Sequence, residues 1–575
     1  MCGIYAAISK HRYAHPTDAV RELLDKRGPD TQTQHVDIES TSAAGTVHYL
    51  SFQASVLALR GDHVARQPLR HPETGSVLCW NGEAWAASNV PLRGNDSEHI
   101  LKLFSDACSA PFDEGQGQFN QRILQAIASI RGPYAFAYYD VPNGKLYYSR
   151  DCLGRRSLLI NRSDDTGDLI LSSVANGSDA TSWLEVEAAG VYMVDLSEAS
   201  NQYIVHYAPY SYEADRVREV TETAEGLVLP YPKLNKNLPS HSSFKLNLTS
   251  PHVASLESHL RESIVLRLQP SSLGDLQTGN VASPKPRIAI LFSGGLDCSL
   301  LARLAHDIVP IAESIDLLNV AFENPRIQRS APCSSAPYET CPDRITARTS
   351  LAELQRMCPE RQWRLVEIDV PYAETLAHRP IVIGLIHPHN TEMDLSISLA
   401  LYFAARGVGT ITTATDAASS TRNPYATPAR VLLSGLGADE LFGGYQRHAL
   451  AFAHGGFAAL ADELDLDISR LGKRNLGRDD RVLSHWGKEV RYPYLDEGVV
   501  GWAMRARVWE KCGFGAETSG EDGDLSLGPE KKVLRLVAKR CGLQIVAAER
   551  KRAIQFGART AKMETGRMKG TQILS

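Results

Sequence analysis

In the first third of the chain, apolar positions come in short alternating runs: Cys2 to Ser9, Val56 to Leu59, Val77 to Trp80, Tyr134 to Tyr139, Leu146 to Ser149, Leu158 to Ile160, Leu169 to Ser172 and Val191 to Val194. Runs of period two bounded by turn residues predict strands, and this many strands predict stacked sheets. Helical spacing at Thr17 to Leu24, Ser97 to Cys108 and Asn120 to Ile130 predicts helices covering the outer faces of those sheets. Residues 211–251 turn charged and then proline-punctuated (Leu229-Pro230-Tyr231-Pro232), the pattern of a linker. From residue 252 the grammar changes. Helical patterns alternate with short apolar runs such as Ile288 to Phe292 and Val431 to Leu433, which predicts βα units around a parallel sheet. The stretch Glu323 to Thr346, rich in Pro, Ser and Cys, reads as a loop insertion, and no internal repeat is visible.

These boundaries suit a chain of 575 residues, which is too long for one hydrophobic core. A net charge of -5 gives no electrostatic reason to expect nucleic acid or a membrane surface as partner, which leaves small polar substrates open. The ten cysteines show neither CxxC pairs nor disulfide-scaffold density, so a reducing compartment fits. No basic segment followed by an apolar one opens the chain, and no apolar run reaches the roughly 18 residues of a membrane span. The expected location is the cytoplasm, with the nucleus as a second possibility.

Candidate chemistry starts at Met1-Cys2-Gly3-Ile4. Removing Met1 would leave a cysteine carrying a thiol and a free α-amine, and an amine with a pKa of about 7.7–8.0 can take the thiol proton near neutral pH. Chance places a cysteine at position 2 in roughly one or two chains per hundred, so the feature needs company. Behind it come Lys26-Arg27-Gly28-Pro29-Asp30, Leu57-Ala58-Leu59-Arg60-Gly61, Gln67-Pro68-Leu69, Trp80-Asn81-Gly82-Glu83 and Asn95-Asp96-Ser97-Glu98. Singly each is bland: Asn-Gly is a common hairpin turn, and Asp96 or Ser97 would cap a helix.

In this order they resemble the class II, N-terminal-nucleophile glutamine amidotransferase domain, with its CGI, RGPD, LxxRG, NGE and D(T/S)E signatures. The resemblance covers residues 1–210 and implies an αββα sandwich. It implies that Cys2 attacks the glutamine amide to form a thioester and release ammonia. Asn81 and the Gly82 N–H would form an oxyanion hole, Arg60 would grip the substrate α-carboxylate, and Glu83 and Asp96 would hold its α-ammonium. Arg27 and Asp30 would shape the pocket or pair as loop ions.

In residues 252–575, Ile288 to Phe292 runs into Ser293-Gly294-Gly295-Leu296-Asp297-Cys298-Ser299 and an amphipathic stretch: strand, glycine loop, helix. Glycines let backbone N–H groups approach oxyanions, and a helix N-terminus adds a positive dipole. The GxxxxGK(S/T) pattern is absent, so this is not a Walker loop. SGGLDCS resembles the PP-loop of ATP pyrophosphatases. Ser434-Gly435-Leu436-Gly437-Ala438-Asp439-Glu440, Glu489 to Asp496, and Lys531 to Arg535 resemble the SGxGADE, EVRxPFLD and KxxLR segments of the asparagine synthetase family.

That resemblance implies a parallel-sheet α/β domain that binds ATP through Leu291, Ser293, Gly294, Gly295, Asp297, Ser299, Val320, Ser434 and Gly435. Asp297 and Asp439 would hold Mg²⁺, and Lys531 would neutralise charge developing on the α-phosphate. The implied chemistry is adenylation of a carboxylate, by default aspartate, followed by attack of ammonia channelled from Cys2. One position departs from the pattern: glutamate, the expected base of the amidation half, is replaced by Leu436. Together with Met393 to Ile397 and Lys551 to Gly557, this departure resembles a eukaryotic branch of the family that keeps both domains. Two alternatives follow from Leu436: a different carboxylate acceptor, or a pseudoenzyme that binds ATP or glutamine as a regulatory module. Glu440 is a candidate replacement carboxylate. The expected partners are small molecules, with a homodimer possible.

Overall fold

Cys2 lies at the head of a strand buried on both faces, because two layers meet there. The computed structural model describes residues 2–31, 33–109, 119–163, 166–175, 182–198, 200, 202–216, 226–239, 246–269, 285–330, 337–416, 419–515, 527–563 and 570–574. In the first domain, strands β1 (Gly3–Ser9), β2 (Gln34–Thr41), β3 (Val47–Ser55), β4 (Leu69–Arg70), β5 (Val77–Gly82), β6 (Tyr134–Asp140), β7 (Lys145–Arg150), β8 (Leu159–Arg162), β9 (Leu169–Ser172), β10 (Trp183–Glu185), β11 (Gly190–Asp195), β12 (Val205–Ser211) and β13 (Leu227–Val228) build two sheets. Their orders are β10-β8-β9-β1-β3-β2 and β13-β12-β11-β7-β6-β5-β4.

The period of two sorts each strand between layers. From β1, Ile4, Ala6 and Ile8 enter the inter-sheet core with Phe52, Cys79 and Ala137. Tyr5 and Ala7 face the other way, against Val20 and Leu24 of helix α1 (Asp18–Arg27). From β5, Leu78 and Trp80 face Ile100 and Phe104 of α2 (Asp96–Cys108) and Ile123 and Ile127 of α3 (Gln121–Ala128). Each fully buried large aliphatic stabilises the stack by about 1.5–3 kcal/mol. The result is the expected αββα sandwich.

Local differences have local causes. Val56 to Leu59 is not a strand: β3 ends at Ser55, and Val56 makes only an isolated bridge to Pro29. The strands β2 and β3 escaped the apolar pattern because β2 alternates at an edge and β3 buries His48, Ser51 and Gln53. Asn95, not Asp96 or Ser97, caps α2, its Oδ1 accepting from Glu98 N at 3.3 Å. Leu227–Val228, inside the stretch read as linker, pairs in parallel with β12.

In the second domain, β14 (Ile288–Leu291), β15 (Ile315–Phe322), β16 (Trp363–Val370), β17 (Val408–Asp416), β18 (Ser419–Ala426), β19 (Val431–Leu433) and β20 (Glu489–Arg491) form one sheet, ordered β18-β17-β16-β15-β14-β19-β20. Five strands are parallel, and β17 and β18 add an antiparallel edge. The chain leaves β14 first toward β15 and later returns on its other side as β19. That reversal opens a crevice at the carboxyl ends of β14 and β19, where open α/β sheets take their ligands. Glu323 to Thr346 is not simply a loop: it holds the helix Pro325–Ser330 and the start of the helix Pro342–Met357, while 331–336 lie outside the described residues. Among the described residues no helix is long and apolar enough to cross a membrane.

Candidate active sites

The head of β1 and the end of β5 come together because β5 crosses beneath β1 in the other sheet. Cys2 is buried, and its N–H donates to Asn81 Oδ1 at 3.1 Å. The opposite end of that amide, Asn81 Nδ2, is buried with no hydrogen-bond partner. An unpaired buried donor costs about 1–3 kcal/mol, a cost that a ligand accepting from Nδ2 beside Cys2 would remove. Gly82 follows in the strand, and a Cβ there would meet the Pro133 carbonyl oxygen at 2.6 Å, so no side chain fits. Burial pushes the Cys2 thiol up, while the positive charge of the nearby amino terminus pulls it down.

The carboxylates lie beside this pair. Asp96 accepts from Trp80 Nε1 at 3.1 Å and from Ala84 N at 2.8 Å, which holds the NGE segment in place. Glu83 is buried; its Oε1 accepts from Arg491 Nη2 at 3.1 Å, while Oε2 is buried with no hydrogen-bond partner. Burial, reinforced by Glu489, pushes Glu83 up to about 8. Arg60 Nη1 stands 3.7 Å from Glu83 Oε2, and its fork donates to the carbonyls of Ala84 and Leu92, each at 2.6 Å. Arg27 reaches the Cys2 carbonyl at 3.3 Å and pairs with Asp480 of the second domain at 2.8 Å. Asp30 turns instead to the Ala58 N–H and Arg430.

The second site fills the crevice at β14 and β19. A cavity of about 310 Å³ is lined by Leu291, Ser293, Gly295, Asp297, Val320, Ser434, Gly435, Leu436, Asp439 and Lys531 among others. Gly294 and Ser299 are not part of the lining. Gly294, at φ +81°, packs so closely on the helix Pro342–Met357 that a Cβ would lie 2.4 Å from Ala347 N. Ser299 Oγ is buried below the loop.

Asp297 and Asp439 begin two different helices and converge on Lys531 Nζ, at 2.6 and 2.7 Å. Lys551 adds a second ammonium, 3.0 Å from Asp439 and 3.7 Å above the Tyr445 ring. Against the penalty of burial, the two lysines hold Asp439 down at about 2. Despite its own burial, Lys531 is raised by the two carboxylates. Among the described residues no group of three or more His, Cys, Asp or Glu could hold a metal unaided. Two convergent carboxylates with Asp297 Oδ1 buried and unpartnered do fit a hard divalent cation that takes its remaining ligands from phosphates and water. Glu440 lines the same cavity, but its carboxylate accepts from the Tyr445 hydroxyl at 2.5 Å.

Comparison with known proteins follows this division. A glutamine amidotransferase domain matches residues 1–210, and an asparagine synthase domain matches residues 453–571. Asparagine synthetase domain-containing protein 1 of Bos taurus is 33% identical, over 99% of this chain and 97% of its own length. The chain belongs to the asparagine synthetase domain-containing protein family. Its Saccharomyces cerevisiae relative YML096W is 34% identical over 93% of this chain and 88% of its own. Glutamine-hydrolysing asparagine synthetase 1 of the same yeast is more distant, at 22% identity over 89% of this chain and 77% of its own.

Three further residues touch these candidate sites without having stood out in the sequence. Gln67 donates Nε2 toward Cys2 Sγ at 3.5 Å and accepts from Trp80 N at 2.7 Å. Only the Gln-Pro dipeptide marked it. Lys551 sits in the basic run Arg550-Lys551-Arg552, which gave no reason to assign any one of its cations to the site. Arg491 belongs to a segment whose match pointed to the other site.

Proposed function

We propose that the protein is an ATP-dependent, glutamine-hydrolysing amide ligase with aspartate as its default acceptor. The observation that carries this reading is the buried, unpartnered Nδ2 of Asn81 beside Cys2. The Cys2 thiolate attacks the glutamine side-chain carbonyl. Asn81 Nδ2 and the Gly82 N–H stabilise the oxyanion, the Cys2 α-amine freed by loss of Met1 passes the proton it took from the thiol to the departing nitrogen, ammonia leaves, and water cleaves the thioester to glutamate and the free thiol. Glu83 and Asp96 face the substrate ammonium, and Arg60 exchanges a carbonyl for the substrate carboxylate.

In the second site, the Ser293–Gly295 and Ser434–Gly435 loops hold ATP, a substrate, in the crevice between Leu291 and Val320. Asp297 and Asp439 would hold Mg²⁺, which neutralises pyrophosphate charge when bound. Lys531, bridging these carboxylates, moves to the phosphate bond that breaks. The carboxylate is activated with loss of pyrophosphate, and ammonia displaces AMP to form the amide. Leu436 in the cavity wall favours a second reading, an acceptor carboxylate other than aspartate, because leucine cannot act as a base. Following pyrophosphate with ATP, Mg²⁺, ammonia and a panel of carboxylates identifies the acceptor. Silence with every carboxylate refutes the ligase reading and leaves the regulatory one.

A further inference from the structure

Arg491 belongs to the second domain yet ends in the first. Its backbone is fixed by β20: Arg491 pairs with Leu433, and its carbonyl accepts from Ser434 N at 3.0 Å. Its side chain is anchored at all three nitrogens. Nε donates to Glu489 Oε1 at 2.5 Å, Nη1 to the Arg267 carbonyl, and Nη2 to Glu83 Oε1 at 3.1 Å. The guanidinium also lies over the Trp85 ring, 5.1 Å from its centroid. A planar fork held at every nitrogen loses little further freedom, and no lysine reproduces that geometry.

The other oxygen of the carboxylate it grips, the buried Glu83 Oε2, makes no hydrogen bond and lies 3.7 Å from Arg60 Nη1, the side chain proposed to turn to the substrate carboxylate. The Glu83 backbone N–H is fixed on the Pro133 carbonyl at 2.9 Å. We propose that Arg491 is a positioning residue of the glutamine pocket, orienting Glu83 so that Oε2 receives the α-ammonium of the substrate amino acid. The pocket is then a composite of both domains, and the strand end that leads into the nucleotide loop also sets its geometry. This inference rests on the proposed glutamine hydrolysis.

The test is ammonia release and glutamine binding by the full chain carrying Arg491→Met, Arg491→Lys, Glu83→Gln and the Glu83→Gln/Arg491→Met pair. Loss of a hydrogen bond to a charged group predicts a KM for glutamine raised about 10- to 100-fold in Arg491→Met. The turnover number should stay within about threefold, because the residue does not touch the reacting atoms. Arg491→Lys, which keeps the buried charge and so guards against misfolding, should recover part of the affinity. The double variant should be no weaker than Glu83→Gln alone, since Arg491 acts through Glu83. An unchanged KM in Arg491→Met, or losses that multiply in the double variant, overturns the assignment while leaving glutamine hydrolysis intact. A wild-type protein that neither binds glutamine nor releases ammonia from it overturns the proposed function itself.

Discussion

Replacing Asn81 with aspartate separates the two jobs that the geometry gives this side chain. Aspartate keeps the Oδ1 that accepts from Cys2 N at 3.1 Å, and with it the placement of the nucleophile. It removes Nδ2, the donor that is buried and unpartnered. Removing one oxyanion donor raises the barrier by about 2.7–4 kcal/mol, a loss of about 10²–10³ in turnover. A carboxylate facing a developing oxyanion adds repulsion, so the upper end applies. The interaction exists only in the transition state, so kcat and kcat/KM should fall together while KM holds. The assay is glutamate formation at saturating glutamine, with Cys2→Ala as the floor. A kcat for Asn81→Asp within about threefold of wild type would refute the oxyanion assignment.

Glutamine kcat/KM should climb as pH rises toward 8 and level above it, because Glu83, raised to about 8, must lose its proton to face an ammonium. Glu83→Gln should flatten that limb, and a profile unaffected by the change would exclude Glu83. Lys531→Met should lower ammonia-driven pyrophosphate release by about 10²-fold or more while glutamine hydrolysis continues, since its partners Asp297 and Asp439 belong to the second site. Equal loss of both activities would refute separate sites. Leu436→Glu should raise aspartate-dependent turnover by at least about tenfold if a missing base limits it. No rise would place the acceptor outside the aspartate class.

The parts of these sites that the sequence disclosed are those carried by short, ordered segments. Cys2 and Asn81-Gly82 stood out because nucleophile, amide and glycine need fixed spacing within their own segments. The PP-loop stood out because strand, glycine turn and helix are consecutive. What stayed hidden depends on long-range pairing. Glu83 meets Arg491 across 408 positions and Arg27 meets Asp480 across 453, distances over which no local pattern operates. Strand β3 was hidden for a related reason, since His48, Ser51 and Gln53 are buried between packed layers instead of alternating with solvent. Asp96 was read as a helix cap, but the cap falls to its neighbour Asn95.

In the proposed reaction, glutamine nitrogen reaches a carboxylate activated by ATP. The direct measurement is mass spectrometry of the products formed from amide-¹⁵N glutamine, ATP, Mg²⁺ and aspartate in a bath of unlabelled ammonium. The amide product should carry ¹⁵N, with one pyrophosphate released per amide formed. Labelled ammonia released to the bath, with no pyrophosphate and no labelled amide, would contradict the proposed reaction.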